Sequence, residues 1–408
     1  MRRSPLAILF LTVFIDLVGF GIILPFIAYY TEYFGAGAGT VGLLMSSYSL
    51  AQFIFAPIWG RLSDRVGRKP ILLMGLAGSV VGFTLFGLAG SLVMLFLGRS
   101  LMGMFSATIP TAQAAVADVT LPKDRARGMG LIGAAIGLGF ILGPAAGGVL
   151  ADLSHRLPIE WFHKNPYALP SLAAAALALC NLIAAFFVLP ESLPDAVRLS
   201  PRPRTSRFAA IAQGLADPRV RSLVILYFLF LLGFTMMEAT LTLFIEKRIG
   251  PSDHALLVRR VGLLFGFIGV VQVLLQGFLV GKLTPRFGEA RLLLTGLCVA
   301  GVALAGLPFT ASWAAIYLCS FGLAAGHGLV QPTVASLISR AAAADAQGGT
   351  LGVAQSAGSL SRMLGPVIAG ALFEHVAQGS PYAVGAVLAF AAAALAAGVP
   401  RASMAAEA

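Results

Sequence analysis

GRLSDRVGRKP, residues 60–70, is a glycine-hinged basic turn wedged between two long apolar stretches. A short, strongly cationic loop between two such stretches reads as a connection between membrane spans, and Lys and Arg are retained on the cytoplasmic face. Gly60 and Gly67 allow close backbone approach and a sharp turn, and Pro70 suits the first turn of the helix that follows. Asp64 and Arg68 stand four residues apart, close enough to pair if the turn is helical, and Arg65 and Lys69 complete the basic cluster.

Outward from that turn, the composition is that of a chain whose solvent is lipid. Of 408 residues, 58% are hydrophobic and 11% charged, with a mean hydropathy of +0.89. A soluble chain carries about a quarter charged residues. The apolar runs are long and show no sustained alternation, which predicts an all-α membrane protein and not a β-barrel. The net charge of +11 is assigned to anionic headgroups facing the cytoplasm, and not to nucleic acid. Cys180, Cys298 and Cys319 lie singly in apolar runs, so neither a disulfide framework nor a zinc site is supported, and no cofactor or metal is expected. The N-terminus, MRRSPLAILFLTVF, has the basic-then-apolar order of a signal peptide. Asp16 interrupts the apolar core, however, and the run continues past Tyr30, so an uncleaved first span is the reading adopted.

Twelve spans are predicted, at about 6–31, 39–61, 70–89, 92–117, 126–152, 168–189, 220–246, 257–282, 290–309, 312–338, 347–374 and 381–399. The polar stretch 191–219 reads as a cytoplasmic linker between an N-terminal half (1–190) and a C-terminal half (220–408). With both termini inside, Arg156, Lys164, Lys247, Arg248, Arg259 and Arg260 fall outside, and Arg99 and Arg362 lie within spans. The other twenty of the 28 Lys and Arg are cytoplasmic, a clear positive-inside bias. The halves repeat. WGRLSDRVG at 59–67 matches VGKLTPRFG at 280–288, Pro110-Thr111 matches Pro332-Thr333, and Gly143-Pro144 matches Gly365-Pro366, all at an offset of 221 or 222 residues. The second copy of the turn carries Pro285 and Glu289 where Asp64 and Arg68 stand, so it reads as degraded. Two parallel six-helix halves imply a substrate site between them near mid-membrane and alternating access by rocking.

Charges inside spans are costly and mark function. Arg99 in LGRSLMGMFSATIPTAQAAVAD (97–118) requires a partner, a wet cavity, or snorkelling to the interface. Asp16 and Glu238 lie deep in the first helices of the two halves, and Arg362 lies at a depth similar to Glu238. An apolar surrounding favours a neutral carboxyl and a nearby cation favours a charged one, so a carboxyl subject to both can gain and lose protons in a transport cycle. Arg99 is expected beside Asp16, and Glu238 beside Arg362, the second pair being either functional or purely structural. In the fifth helix, GAAIGLGFILGPAAGGVLAD (133–152) places glycines along one face for intimate contact, and Pro144 breaks a backbone hydrogen bond and bends the helix. Gln52, Gln113, Gln272, Gln276, Gln331, Gln355 and His327 are candidates for the cavity wall. Phe20, Tyr48, Phe140 and Phe234 are candidates for an aromatic lining, with core packing the alternative for each. His327 reads as a proton relay or a hydrogen-bonded packing element.

The G-x-L-x-D-R-x-G-R-K-P turn, the R-x-x-x-G pattern of Arg99 and Gly103, the G-x-x-x-G-P-x-x-G-G element of Gly139, Gly143, Pro144, Gly147 and Gly148, and Asp16 in TVFIDLVGFGIILP together resemble the major facilitator superfamily. Within it they resemble the drug/proton antiporters with twelve spans. Residues 10–152 are most similar to the tetracycline-efflux branch. The resemblance implies the two-halved, twelve-helix major facilitator fold. It also implies that Asp64, Arg68 and Asp118 form a cluster that docks on the start of helix 11 and latches the outward-open state. It implies further that Arg99 assists proton transfer, that Asp16 couples to protons, and that the glycine-proline element marks an antiporter. That branch usually has an acid in helix 3 where this chain has Gly82, which counts against tetracycline itself.

The leading expectation is a multi-pass transporter of the cytoplasmic membrane that exports a small lipophilic or amphiphilic substrate in exchange for protons. It is expected to act as a monomer, with the bilayer and protons as its other partners. A proton-coupled importer of a nutrient is the alternative. No HExxH, GxSxG or P-loop pattern speaks for an intramembrane enzyme or for direct coupling to ATP.

Overall fold

The computed structural model describes residues 5–120, 125–193, 216–249, 254–341 and 347–398, and among them the regular structure is all helical. The spans in chain order are Pro5–Ile23 continued by Leu24–Phe26 and Ile27–Tyr33, Ala38–Val66, Arg68–Gly87, Leu92–Met104 with Thr108–Val119, Arg125–Arg156 and Ala168–Val188. They continue with Pro218–Ile249, then His254–Leu274 extended by Leu275–Leu279 and Val280–Phe287, then Glu289–Gly306, Trp313–Ala341, Gln347–His375 and Ser380–Gly398. Among the described residues, eleven helices are long and apolar enough to cross a membrane. The eleventh span, 29 residues from Gln347 to His375, is as long but more polar, with Gln355, Ser356, Ser359, Ser361 and Arg362 in its middle. Most of the expected linker, 194–215, lies outside the described residues.

Three predicted spans are interrupted within their length. The first changes to a 3₁₀ turn at Leu24–Phe26, where Pro25 has no N–H to give and crowds the preceding turn. The fourth opens between Met104 and Thr108, a break that contains Ser106, the residue four before Pro110 whose carbonyl the proline ring would meet in a continuous helix. The carbonyl of Met104 left over at the break accepts the Trp59 indole N–H. Pro332, the repeat counterpart of Pro110, sits inside an uninterrupted tenth span. The eighth span contains a π-turn over Leu275–Leu279, a distortion common at functional sites.

The chain divides into two compact units. One comprises 1–37, 47–202 and 250–270, the other 38–46, 203–249 and 271–408. Each sequence half therefore lends a segment to the opposite unit: the first turns of the second span, and the first half of the eighth. In the first unit, Leu9, Val13, Leu17, Leu72, Leu76, Ala112, Val116, Ile132 and Ala185 bring five spans onto one core. In the second, Val220, Leu226, Phe230, Leu297, Ala300, Val330, Ile338, Val353 and Ala392 do the same. Large apolar side chains also point outward, among them Phe187 at 77% exposure and Leu318 at 72%. Such a surface aggregates in water and is at home in hydrocarbon.

Candidate functional site

The basic turn is closed by one residue. The second span ends at Val66, the third begins at Arg68, and Gly67 between them has φ of +118°, where a Cβ is strained. Gly288 repeats this at φ +78°. Gly60 is different: among the described residues no atom lies within 4 Å of where its Cβ would stand, so close approach does not require it. Arg68 is buried, and its guanidinium meets Asp64 at 2.7 Å, Asp118 at 2.9 Å and Ser63 Oγ at 2.7 Å. The adjoining Lys69 ammonium lies 5.8 Å from the Phe186 ring, while Arg65 is exposed. The docking expected at the start of the eleventh span falls on 347–351, whose side chains lie outside the described residues.

Glu191 was not singled out from the sequence. Its carboxylate accepts the backbone N–H of Arg68 at 2.8 Å and of Lys69 at 3.2 Å, capping the third span, and also those of Ser192 and Leu193 at 3.0 Å each. Burial pushes this carboxyl up, but the four N–H bonds outweigh it and hold the group below the usual carboxylate range. An acid placed straight after Pro190 on a face that otherwise selects Lys and Arg was the available signal.

The second copy of the turn proves not to be an empty remnant. Glu289 stands at the position of Arg68 and Arg340 at that of Asp118, and the two pair at 3.4 Å, with Ser336 Oγ donating to Glu289 at 2.7 Å. The ion pair is retained with its signs exchanged.

Within the first unit, Arg99 is 2% exposed. Its guanidinium lies 4.7 Å from the Tyr48 ring centroid and 5.1 Å from that of Phe20. Those rings touch at 5.1 Å, and Phe140 meets Phe20 edge-on at 6.0 Å. Gly103, one turn on from Arg99, lies against the Tyr48 backbone, so both residues of the R-x-x-x-G pattern serve the same tyrosine. Tyr48 Oη shares a 2.8 Å hydrogen bond with Ser106 Oγ, and Gln52 Nε2 donates to the same oxygen at 2.8 Å. Ser106 is presented there by the break in the fourth span. Asp16 precedes Phe20 by one helical turn, on the face to which Arg99 comes. Ser79 Oγ donates to its carboxylate at 3.2 Å, and Thr108 hydrogen-bonds it as well. Gln113 is exposed and joins none of these groups.

The glycine face of the fifth span packs on the first. A Cβ at Gly143 would stand 2.7 Å from Gly21 Cα and from the Val18 carbonyl, one at Gly139 would strike Leu17, and one at Gly147 the Ile22 carbonyl. Gly148 faces another way, to Gly262 of the eighth span, with Cα 3.0 Å from its Cβ position. Pro144 lies within a continuous helix.

In the second unit, His327 stacks on Phe234 at 4.4 Å and on Phe230 at 5.9 Å, with its Nδ1 enclosed and without a hydrogen-bond partner among the described residues. Arg362 Nη2 lies 3.5 Å from Ser359 Oγ, a long contact, and its charge reaches Tyr227 and His327. Glu238 is half-buried one turn beyond Phe234. Gln276, inside the π-turn, donates to Gln331 at 3.2 Å, and the Gln272 backbone lies against Gly328. Gln355 is exposed, and its carbonyl accepts from Ser359 Oγ at 3.0 Å. Among the described residues no three His, Cys, Asp or Glu side chains gather to hold a metal.

The family model of the Major Facilitator Superfamily matches residues 9–275 and 223–406. The chain is 30% identical to the class C tetracycline resistance protein of Escherichia coli over 393 residues, 95% of this chain and 94% of that one. It is 29% identical to multidrug resistance protein 2 of Bacillus subtilis (strain 168) over 382 residues, 91% of this chain and 90% of that one. The crystal structure of the human organic anion transporter MFSD10 superposes with a TM-score of 0.71 at 24% identity, covering 97% of this chain and 99% of the other, a likeness of fold. With the repeated turn, the two six-span halves and matches that run nearly end to end, the chain belongs to the major facilitator superfamily.

Proposed function

We propose that this transporter exports lipophilic or amphiphilic small molecules from the cytoplasm in exchange for protons, by alternating access, in the cytoplasmic membrane with both termini inside. Its likeness to tetracycline and multidrug resistance proteins supports the cargo class. The observation that carries the coupling is Asp16. It is a carboxyl within a membrane span, held by two hydroxyls and one turn from the ring on which Arg99 rests. A carboxyl there exchanges a proton as its surroundings alternate between hydroxyl contacts and the guanidinium, and Arg99 favours the charged form. Each proton moving down a 100 mV potential supplies about 2.3 kcal/mol. Rocking is assigned to the Arg68 cluster, with Asp64, Asp118 and Glu191 holding the turn rigid.

Everted vesicles energised by respiration test this reading. A cargo compound added outside should discharge the internal acidity, whereas a proton-coupled importer offered the same compound on that side should not. Asp16→Asn should remove the discharge while the protein stays in the membrane, and undiminished discharge would take Asp16 out of the mechanism.

A further inference from the structure

We propose that Thr108 belongs to the proton site: its hydroxyl, freed by the break in the fourth span, joins that of Ser79 in serving the Asp16 carboxyl in both of its protonation states. That Asp16 carries the transported proton rests on the export reading above; that Thr108 governs it rests on the side chains themselves.

A threonine within a helix readily spends its hydroxyl on the carbonyl four residues back. Thr31, Thr84, Thr240, Thr284 and Thr333 all do so, at 2.7–3.0 Å. At Thr108 the same carbonyl is that of Met104, which lies across the break and accepts the Trp59 indole N–H. Thr108 is instead the first residue of the half-helix Thr108–Val119, is 2% exposed, and turns its hydroxyl to Asp16. The third span makes room for it. A Cβ at Gly75 would stand 3.3 Å from Thr108 Oγ1, and Ser79, one turn on, donates to Asp16 Oδ1 at 3.2 Å. Three spans thus bring two hydroxyls to one carboxyl. The second half supplies the contrast: at the repeat offset of 222, Val330 stands for Thr108, and the tenth span runs unbroken past Pro332.

A hydroxyl both donates and accepts, whereas a backbone N–H or a guanidinium only donates. Against the carboxylate both hydroxyls donate. Against the neutral acid one of them turns to accept its O–H, so neither state leaves the site unsatisfied. Because Thr108 opens the half-helix, the carboxyl also lies at its N-terminal end, where negative charge is favoured. Asp16 itself is half-buried and so keeps an accessible side. Arg99, resting on Tyr48 and Phe20, is the charged group brought toward it. Among the described residues, Arg68 and Lys69 of the third span, Asp118 of the fourth, and Asp152 and Arg156 of the fifth stand ten or more residues along from this level. At 1.5 Å per residue that is about 15 Å or more. Cys180 of the sixth span is exposed.

Infrared titration of the purified full chain in detergent tests this without transport. The carbonyl band of protonated Asp16 is identified by its loss in Asp16→Asn. A hydrogen bond to a charged group is worth more than one to a neutral group, so Thr108→Val should move the midpoint of that band up by about one pH unit. Thr108→Ser should restore the midpoint. Ser79→Ala should shift it in the same direction as valine at 108, which keeps the test sharp if valine disturbs the fold. Thr84→Val removes a hydroxyl spent within its own helix and should leave the midpoint in place. An unmoved midpoint in Thr108→Val, or an equal shift in Thr108→Ser, overturns the assignment. Exchange in everted vesicles separates it from the export reading. Exchange that depends on Asp16, while Thr108→Val titrates as the unaltered chain does, leaves export standing and removes Thr108. A shifted titration with no exchange by the unaltered chain does the reverse, and the lack of any band lost in Asp16→Asn overturns both.

Discussion

Arg99 poses the largest energetic problem of any single residue here: a guanidinium in the middle of a span, shut away from water. Two ring faces answer it, since a desolvated cation over an aromatic face gains up to about 2 kcal/mol. The guanidinium reaches both Tyr48 and Phe20, and its planar, weakly hydrated group suits ring faces better than a compact ammonium does. Arg99→Lys is therefore expected to lower stability by about 1–2 kcal/mol and to slow exchange, read as thermal melting in detergent beside vesicle assays. Glu191 acts at the same scale. Its carboxyl titrates lower in the folded chain than in the unfolded one, so its contribution is present above the unfolded value and is lost as pH falls through the folded one. Protection of the Arg68 and Lys69 amides against hydrogen exchange should drop with acidification through that range. In Glu191→Gln it should be low throughout and flat with pH.

At the scale of helices, contact between the first and fifth spans depends on the absence of side chains. Gly147→Val would drive methyl groups into the Ile22 carbonyl, and overpacking of this kind costs about 1–3 kcal/mol. A fall in melting temperature together with lost exchange is expected; Gly133, with open space about it, should tolerate alanine. Twelve spans were legible because lipid imposes a length and a composition that survive in any apolar run. The interruptions were not. Pro110 opens the fourth span while Pro332 leaves the tenth intact, so the residue alone does not decide, and the π-turn around Gln276 has no mark in local composition. The site was legible in the same uneven way. Asp16, Arg99 and the glycine face were readable as charges and gaps where apolar bulk belongs. Glu191 looked like an ordinary polar residue past a helix end, because composition does not show which backbone N–H groups a carboxylate will reach.

For the molecule as a whole, the repeat is deeper than its wording. Both turns pivot on a glycine in the left-handed region, and both tie the start of one span to the end of the next. If Glu289 and Arg340 matter only as opposites, Glu289→Arg alone should cost about 0.5–1 kcal/mol, since Arg340 is well exposed, and adding Arg340→Glu should restore the melting temperature. Segments 38–46 and 250–270 each join the unit built by the other half, so a chain of near-copies must be able to tell its copies apart while threading into the bilayer. Inverted polarity supplies the means. A nascent third span that strayed onto the tenth would set Arg68 against Arg340, and a ninth span straying onto the fourth would set Glu289 against Asp118. Each wrong marriage is repelled at its first handshake, and only the lawful partners attract.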